Sequence, residues 1–400
     1  MLLSRIQSSW LPMTLIAIDF LILVNADMST FSKCQSPTLD PLTDCPSSSI
    51  LVSATDSNAN FTSIQSAILS LDETTPSTIL ILPGIYNEQL NVTRSGPLTL
   101  LGQIKNTNQQ SENTVTISWA SANQNNGIFT DNAFTSVLTV APTLEASLTG
   151  AGPTGYAVPE NTPFGNIDFK VYNIDFRNVF SEKSDGPSLA VSVSRANAGF
   201  YYSGLYSYQD TVYVGKLGNA YFYRNTIAGQ TDFLYGFGTA WIQNSTLSLR
   251  NCGGGITAWK GVNTTFPNKY GVFVSDSTVV AANSSIAPTI AGKCFLGRPW
   301  NSQHLSVFSN TYLDATINGA GYKKWSTDPA QEHFNANWTK MAEYHNSGPG
   351  FDLHARIKGN VTIEFTADQA RKYETPKDVF MDVNGTQPFI DWIDKDAYTW

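Results

Sequence analysis

The triplet Ala198-Gly199-Phe200 returns further along the chain as Ala220-Tyr221-Phe222, and an aspartate follows each phenylalanine at the tenth residue, Asp210 after the first and Asp232 after the second. A unit this short cannot bury its apolar face alone, whereas stacked copies share one continuous core. If each copy is one coil of a β-solenoid, equivalent positions lie one strand spacing apart, roughly 5 Å. The two carboxylates then stand side by side. Like charges so close push their pKa values apart, which can yield a protonated acid beside an ionised nucleophile.

The pattern extends past these copies. An apolar residue, then Asn, Ser or Asp among small polar neighbours, then another apolar residue recurs at Val171-Tyr172-Asn173-Ile174, Ile242-Gln243-Asn244-Ser245, Val274-Ser275-Asp276-Ser277 and Phe308-Ser309-Asn310-Thr311. The spacings run from roughly 20 to 34 residues, as solenoid repeats do, with the longer gaps read as protruding loops. Alternating stretches at residues 169–176 and 189–193 predict strands. The expectation is an all-β chain, a single-stranded parallel β-helix whose N-terminal end is capped by a short helix within residues 61–69.

A solenoid grows along one axis and so escapes the usual size limit of a single core, which makes residues 27–400 one expected domain. Residues 1–26 read as a secretory signal: Arg5 gives the positive flank, Leu15 to Val24 the apolar centre, and Val24-Asn25-Ala26 the small residues at a cleavage position. Asp19 interrupts the apolar centre, and an uncleaved anchor is the competing reading, although the stretch is short for a membrane span. Glycosylation triplets at Asn60, Asn91, Asn244, Asn263, Asn283, Asn337, Asn360 and Asn384 agree with secretion. An oxidising compartment allows the four cysteines three pairings; Cys34 with Cys45 and Cys252 with Cys294 is the expected one, with free buried thiols the alternative.

Several chemistries are disfavoured. The net charge of −8 and the lack of a basic run count against nucleic acid. No Cys-x-x-Cys pair occurs, and His304, His333, His345 and His354 lie beyond the repeats without ligand spacing, so a zinc site is not expected. Neither a Gly-x-Ser-x-Gly elbow nor a Gly-rich phosphate cradle is present. Acid chemistry on carboxylates remains.

Gly84-Ile85-Tyr86-Asn87-Glu88, Tyr208-Gln209-Asp210-Thr211-Val212-Tyr213, Gly229-Gln230-Thr231-Asp232-Phe233-Leu234-Tyr235-Gly236 and Leu296-Gly297-Arg298-Pro299-Trp300 fall in one order along the chain. In that order they resemble the pectin methylesterases, and most closely the fungal secreted branch. The resemblance runs from about residue 50 to about residue 355 and includes Met341-Ala342-Glu343-Tyr344 and Gly348-Pro349-Gly350. It implies a right-handed parallel β-helix that hydrolyses the C6 methyl ester of galacturonate units in pectin without metal or cofactor. Water would be the second substrate. It further implies a secreted monomer in the cell-wall space, with no nucleic-acid or membrane partner.

Carried over by residue, the resemblance makes Asp232 the nucleophile, Asp210 the general acid and then base, Gln209 the oxyanion donor and Arg298 the partner that orients Asp232 and lowers its pKa. Trp300, Tyr213, Tyr235 and Trp325 would line the sugar groove. Two departures stand out. Where many plant-type members carry a further Gln, this chain has Pro187, which has no donor; Ser188, a water or a backbone amide is the expected substitute. The family's Phe-x-Asn-Thr-Ala-Gly survives only as Phe176-Arg177-Asn178-Val179-Phe180-Ser181, so no substrate contact is carried over there.

Each residue also has a plainer reading. Aspartates in solenoids often sit at turns bonding their own backbone, Gln209 suits an amide ladder, Arg298 a structural ion pair, and the aromatics a core. Two other functions compete: a non-catalytic carbohydrate-binding β-helix at a surface, and a pectin depolymerase. Arg356-Ile357-Lys358 resembles a polygalacturonase motif, but its companion motifs are missing.

Overall fold

The computed structural model describes residues 31–124, 126–150, 158–159, 161–261, 270–382 and 387–395. The proposed signal segment and the triplets beginning at Asn263 and Asn384 lie outside these residues. The strands form three sheets of 11, 7 and 8 strands, and neighbouring strands within each sheet run parallel. Each sheet takes one strand from each coil. The coil with Asn197–Tyr201, Gly204–Tyr206 and Val212–Val214 is followed by Asn219–Tyr223, Thr226–Gly229 and Leu234–Gly236. This is the expected parallel β-helix, and it is right-handed.

The recurring polar position has a conformational cause. Asn173, Tyr202, Arg224, Asn244, Asp276, Asn310 and His345 occupy equivalent turns, with φ of 55°, 51°, 53°, 50°, 50°, 49° and 52°. A single left-handed residue turns the chain sharply from the 11-stranded into the 8-stranded sheet, and Asn and Asp tolerate that conformation best among residues with a Cβ. Asn173 therefore splits the strand expected over 169–176 into Phe169–Tyr172 and Ile174–Asn178. Apolar alternation continues across the bend, so the sequence pattern does not show the break.

Inside the stack, identical residues sit on one another. Phe200 and Phe222 stack with ring centroids 5.0 Å apart, and the Asn219 amide donates to the Asn197 carbonyl oxygen at 2.9 Å. On the outer face of the 11-stranded sheet, Tyr172 and Tyr201 stack at 4.7 Å. Both ends of the chain cover that face. Cys34 packs there from one end, and Phe380, Trp392 and Ile393 from the other, where the Asp394 N–H donates to the Tyr201 hydroxyl at 2.8 Å.

The N-terminal cap is Ile64–Leu69, shorter than the run read from sequence because Phe61 instead bridges to Val52. The Glu88 carboxylate accepts from the Ser63 hydroxyl and from the Ile64 and Gln65 N–H groups, at 2.7, 2.9 and 2.9 Å. A carboxylate at a helix start satisfies orphan donors and the local dipole. Of the Gly84–Glu88 motif, Gly84–Asn87 is a strand of the 8-stranded sheet and Glu88 holds the cap.

At the other end, helix Leu353–Gly359 carries the buried Arg356, whose guanidinium forks onto Glu343 at 2.7 and 3.3 Å. It also donates to the carbonyls of Asn318, Gly319 and Gly350. The Arg356-Ile357-Lys358 stretch is thereby accounted for as a structural anchor. Cys34 is bonded to Cys45 and Cys252 to Cys294, the pairing expected.

Candidate active site

Asp210 and Asp232 each sit at the turn that leads from the 8-stranded into the 7-stranded sheet. Both adopt the left-handed conformation, with φ of 60° and 49°. Gln209 bridges Thr231 in parallel, and the Asp210 N–H donates to the Thr231 carbonyl at 3.0 Å. The aspartates are therefore in register on adjacent coils, about one strand spacing of 4.8 Å apart. They thus sit at turns, as the plainer reading has it, and stand on neighbouring coils. A left-handed bend in a residue with a Cβ carries strain of about 1–3 kcal/mol, a cost that clusters at functional sites.

Arg298 reaches Asp232 from two coils further on. Its Nε donates to Oδ1 at 3.0 Å and its Nη2 to Oδ2 at 2.5 Å, a fork that fixes the carboxylate plane. Tyr213, Tyr235, Ala258 and Arg298 occupy one column of the 7-stranded sheet. Ala258 is the small member, which leaves room for the arginine to fold back. Gly254 is equally tight: a Cβ there would lie 2.2 Å from Asp232 Oδ1 and 2.3 Å from Arg298 Nε. The Cys252–Cys294 disulfide ties together the two segments that carry Gly254 and Arg298. Above the fork, the Trp325 ring lies 3.7 Å from the guanidinium carbon.

Arg298 separates two equally buried carboxyls electrostatically. Asp210 is 7 % and Asp232 6 % exposed. Burial, reinforced by the negative charge of Asp232, holds Asp210 well above the usual carboxyl range, with Arg298 opposing. Burial also raises Asp232, against the hydrogen bonds and charge of Arg298 and a main-chain hydrogen bond from Gly255. Arg298 lowers Asp232 as expected, but loss of water outweighs the guanidinium. Arg298 holds its fork on Asp232 alone, which leaves Asp210 as the carboxyl that keeps its proton longer.

The Gln209 side chain is held at its carbonyl end, where Oε1 accepts from the Ser184 hydroxyl at 2.7 Å. Its NH2 end is left to face outward as a donor. Ser188, named as a substitute for the missing glutamine, is buried with its hydroxyl 2.8 Å from that of Ser207, so it is already engaged. Asn178 is likewise structural, donating to the carbonyls of Ser121, Thr135 and Leu189.

The aromatics divide. Tyr213 and Tyr235 are sealed, 0 % and 2 % exposed, with rings 4.8 Å apart, and Trp300 leans on Tyr235 at 5.6 Å. In this conformation the tyrosines form a floor beneath the groove and do not line it, because the rings of this patch close over one another. Trp300 and Trp325 are partly exposed.

Sequence reasoning missed three neighbours. The Lys260 ammonium lies 3.6 Å from the centre of the Trp300 ring, and burial, opposed by Asp131, pulls it down to about 8. Lys323 is lowered by burial and by repulsion from Arg298, with Asp232 opposing. Asn132 approaches Asp210 from two coils earlier, Nδ2 to Oδ2 3.5 Å. The run Gly253-Gly254-Gly255 was a visible signal for a close approach; nothing marked the lysines or Asn132. His304 lies within a coil, not beyond the repeats. It is fully buried, with Nε2 2.7 Å from the Ser306 hydroxyl, and burial lowers it to about 3, so it is a neutral packing group.

The family model described as Pectinesterase matches residues 161–382, more than half of the chain and all of the fork between Asp232 and Arg298. The chain belongs to the pectinesterase family. It is 29% identical over 314 residues to a pectinesterase of Aspergillus aculeatus, covering 77% of this chain and 83% of that one. To a probable pectinesterase A of Aspergillus niger it is 26% identical over 356 residues, covering 88% and 90%. Among solved structures, the pectin methylesterase of Aspergillus niger matches with a TM-score of 0.67 at 23% identity, over 88% of this chain and 97% of that chain. That of Erwinia chrysanthemi matches with a TM-score of 0.63 at 25% identity, over 85% and 98%. Among the described residues no helix is long and apolar enough to cross a membrane.

Proposed function

We propose that this pectinesterase removes the C6 methyl esters of homogalacturonan through Asp232 and Asp210, releasing methanol and leaving the chain uncut. The observation that carries the reading is the guanidinium fork on Asp232 beside a second buried carboxyl held well above its ordinary range. One group is oriented and held down by the guanidinium against its burial, while the other keeps its proton to higher pH.

The chemistry follows in two halves. An Asp232 oxygen attacks the ester carbonyl carbon, and the oxyanion that forms takes a hydrogen bond from the Gln209 NH2 group. The tetrahedral species collapses, the C–O bond to methoxide breaks, and Asp210 gives methoxide its proton, so methanol leaves an Asp232 acyl-enzyme. Water then attacks that anhydride while the ionised Asp210 takes a water proton. Collapse restores the Asp232 carboxylate and protonated Asp210, and the product acid ionises in solvent. Trp300 and Trp325 offer partly exposed faces for the apolar faces of sugar rings. The reading includes delivery outside the cell through the signal at residues 1–26 and action as a monomer.

Purified protein incubated with highly methylated pectin should release methanol without new reducing ends or unsaturated products. Chain ends appearing without methanol would overturn the esterase reading. Gly254→Ala should lower turnover about 10²-fold while the protein stays folded, because the new methyl pries Arg298 from Asp232 and a displacement of about 1 Å is that costly at a reacting centre. Wild-type methanol release by a folded Gly254→Ala protein would show that the fork tolerates the methyl.

A further inference from the structure

We propose that Asn132 is a second donor to the oxyanion, supplying from two coils before Asp210 what Pro187, on the coil between, cannot; the inference rests on the esterase reading above. Asn132 lies in the 3-10 helix Asn132–Thr135, outside the stretch that the family model matches.

Its placement is built, not incidental. Asp131, itself buried, accepts from the N–H groups of Ala133, Thr149 and Gly150 and from the Thr149 hydroxyl, at 2.8, 2.9, 2.8 and 3.0 Å. Four donors on one carboxylate pin the loop that carries the next residue. The Asn132 side chain is then fixed at its carbonyl end, where Oδ1 accepts from Asn123 Nδ2 at 3.0 Å. Asn123 is in turn held by its main-chain N–H, which donates to the Pro187 carbonyl at 2.8 Å. The proline that brings no donor thus anchors the segment that delivers one.

Anchoring the carbonyl end turns the NH2 end toward Asp210, at 3.5 Å from Oδ2. That distance is the outer limit of a hydrogen bond, so the donor is aimed at the site without being consumed by the acid. An amide nitrogen only donates. Gln209 repeats the arrangement, its carbonyl end held by Ser184 and its NH2 end left as the donor. Two carboxamides, each fixed at its oxygen, flank the aspartate pair, Gln209 from the coil of Asp210 and Asn132 from two coils earlier. Such preorganised donors act where charge develops in the transition state.

The test compares wild type, Asn132→Ala and Asn132→Asp, the last keeping shape while replacing the NH2 donor with an oxygen. Methanol release is measured across pH, with kcat and KM separated and folding checked by circular dichroism. Loss of one oxyanion donor lowers kcat by about 10²- to 10³-fold at every pH with KM nearly unchanged. That result in either folded variant supports the proposal. A normal plateau with a displaced basic limb would mean that Asn132 only adjusts Asp210, and a rise in KM alone would mean that it only holds substrate; each overturns the proposal, as does an unchanged kcat. Wild-type protein that released no methanol would remove the esterase reading itself, a result seen before any variant is compared.

Discussion

Asp232→Asn should reduce methanol release to background, a loss of at least about 10⁴-fold, because an amide in the same place cannot attack the ester and losses of that size accompany removal of a nucleophile. Asp210→Asn should cost about 10²- to 10⁴-fold, the usual range for a general acid. Both variants keep the shape of the side chain at a left-handed turn that Asn adopts readily, so both should fold.

Their heat resistance separates chemistry from damage. The Asp210 carboxyl is raised well above its ordinary value, so the folded protein holds that proton to higher pH than the unfolded chain does. Stability contributed by this group therefore falls as pH rises from the ordinary carboxyl range through the folded value, so above the ordinary range the wild type carries a penalty. Asp210→Asn removes the penalty and should melt at or above the wild-type temperature at neutral pH. Asp232→Asn should show no such gain, since it strips Arg298 of its anion. Turnover measured beside thermal melting checks both statements. Near-wild-type turnover in folded Asp232→Asn would place the nucleophile elsewhere, and a large drop in the melting temperature of Asp210→Asn would mean that its role is structural.

Arg298→Lys should depress the rate about 10²-fold and move the acid limb of the pH profile upward. Lysine keeps the positive charge but loses the planar fork that fixes both oxygens of Asp232, and a nucleophile displaced by about 1 Å loses that order of rate. The acid limb reports protonation of Asp232, and the basic limb reports loss of the Asp210 proton, with both belonging to the coupled pair. Arg298 is the strongest influence holding Asp232 down against its burial. A weaker hold raises the Asp232 value, so the nucleophile becomes protonated at a higher pH. A profile and rate both unchanged in Arg298→Lys would show that this arginine neither tunes nor positions Asp232.

The register of Asp210 on Asp232 was legible because a parallel coil converts sequence spacing directly into position: the matched Phe200 and Phe222 lie in adjacent strands, and nine residues later the same offset pairs Gln209 with Thr231, next to the aspartates. The polar position between the first two sheets was visible at Asn173, Asn244, Asp276 and Asn310, where side chains favour a left-handed bend. It was hidden at Tyr202, Arg224 and His345, where neighbouring coils impose the same bend on residues with no preference for it. Arg298 was legible through its motif alone.

By itself, then, the sequence determined the parallel β-helix through its repeat spacing and pointed through short motifs to the four residues of the proposed machinery, while three disulfide pairings stayed open, of which the structure holds the expected one. Only the tertiary structure decided how those residues are tuned and supported. Burial, which no local pattern records, raises both carboxyls and seals Tyr213 and Tyr235 under the groove. Gly254, Lys260 and Asn132 reach the site from other coils and from a loop whose course has no period. A repeat fixes what stands above what along the stack, but what folds over the stack is set by contacts between residues distant in the chain, and their physical chemistry appears only once the coils are closed.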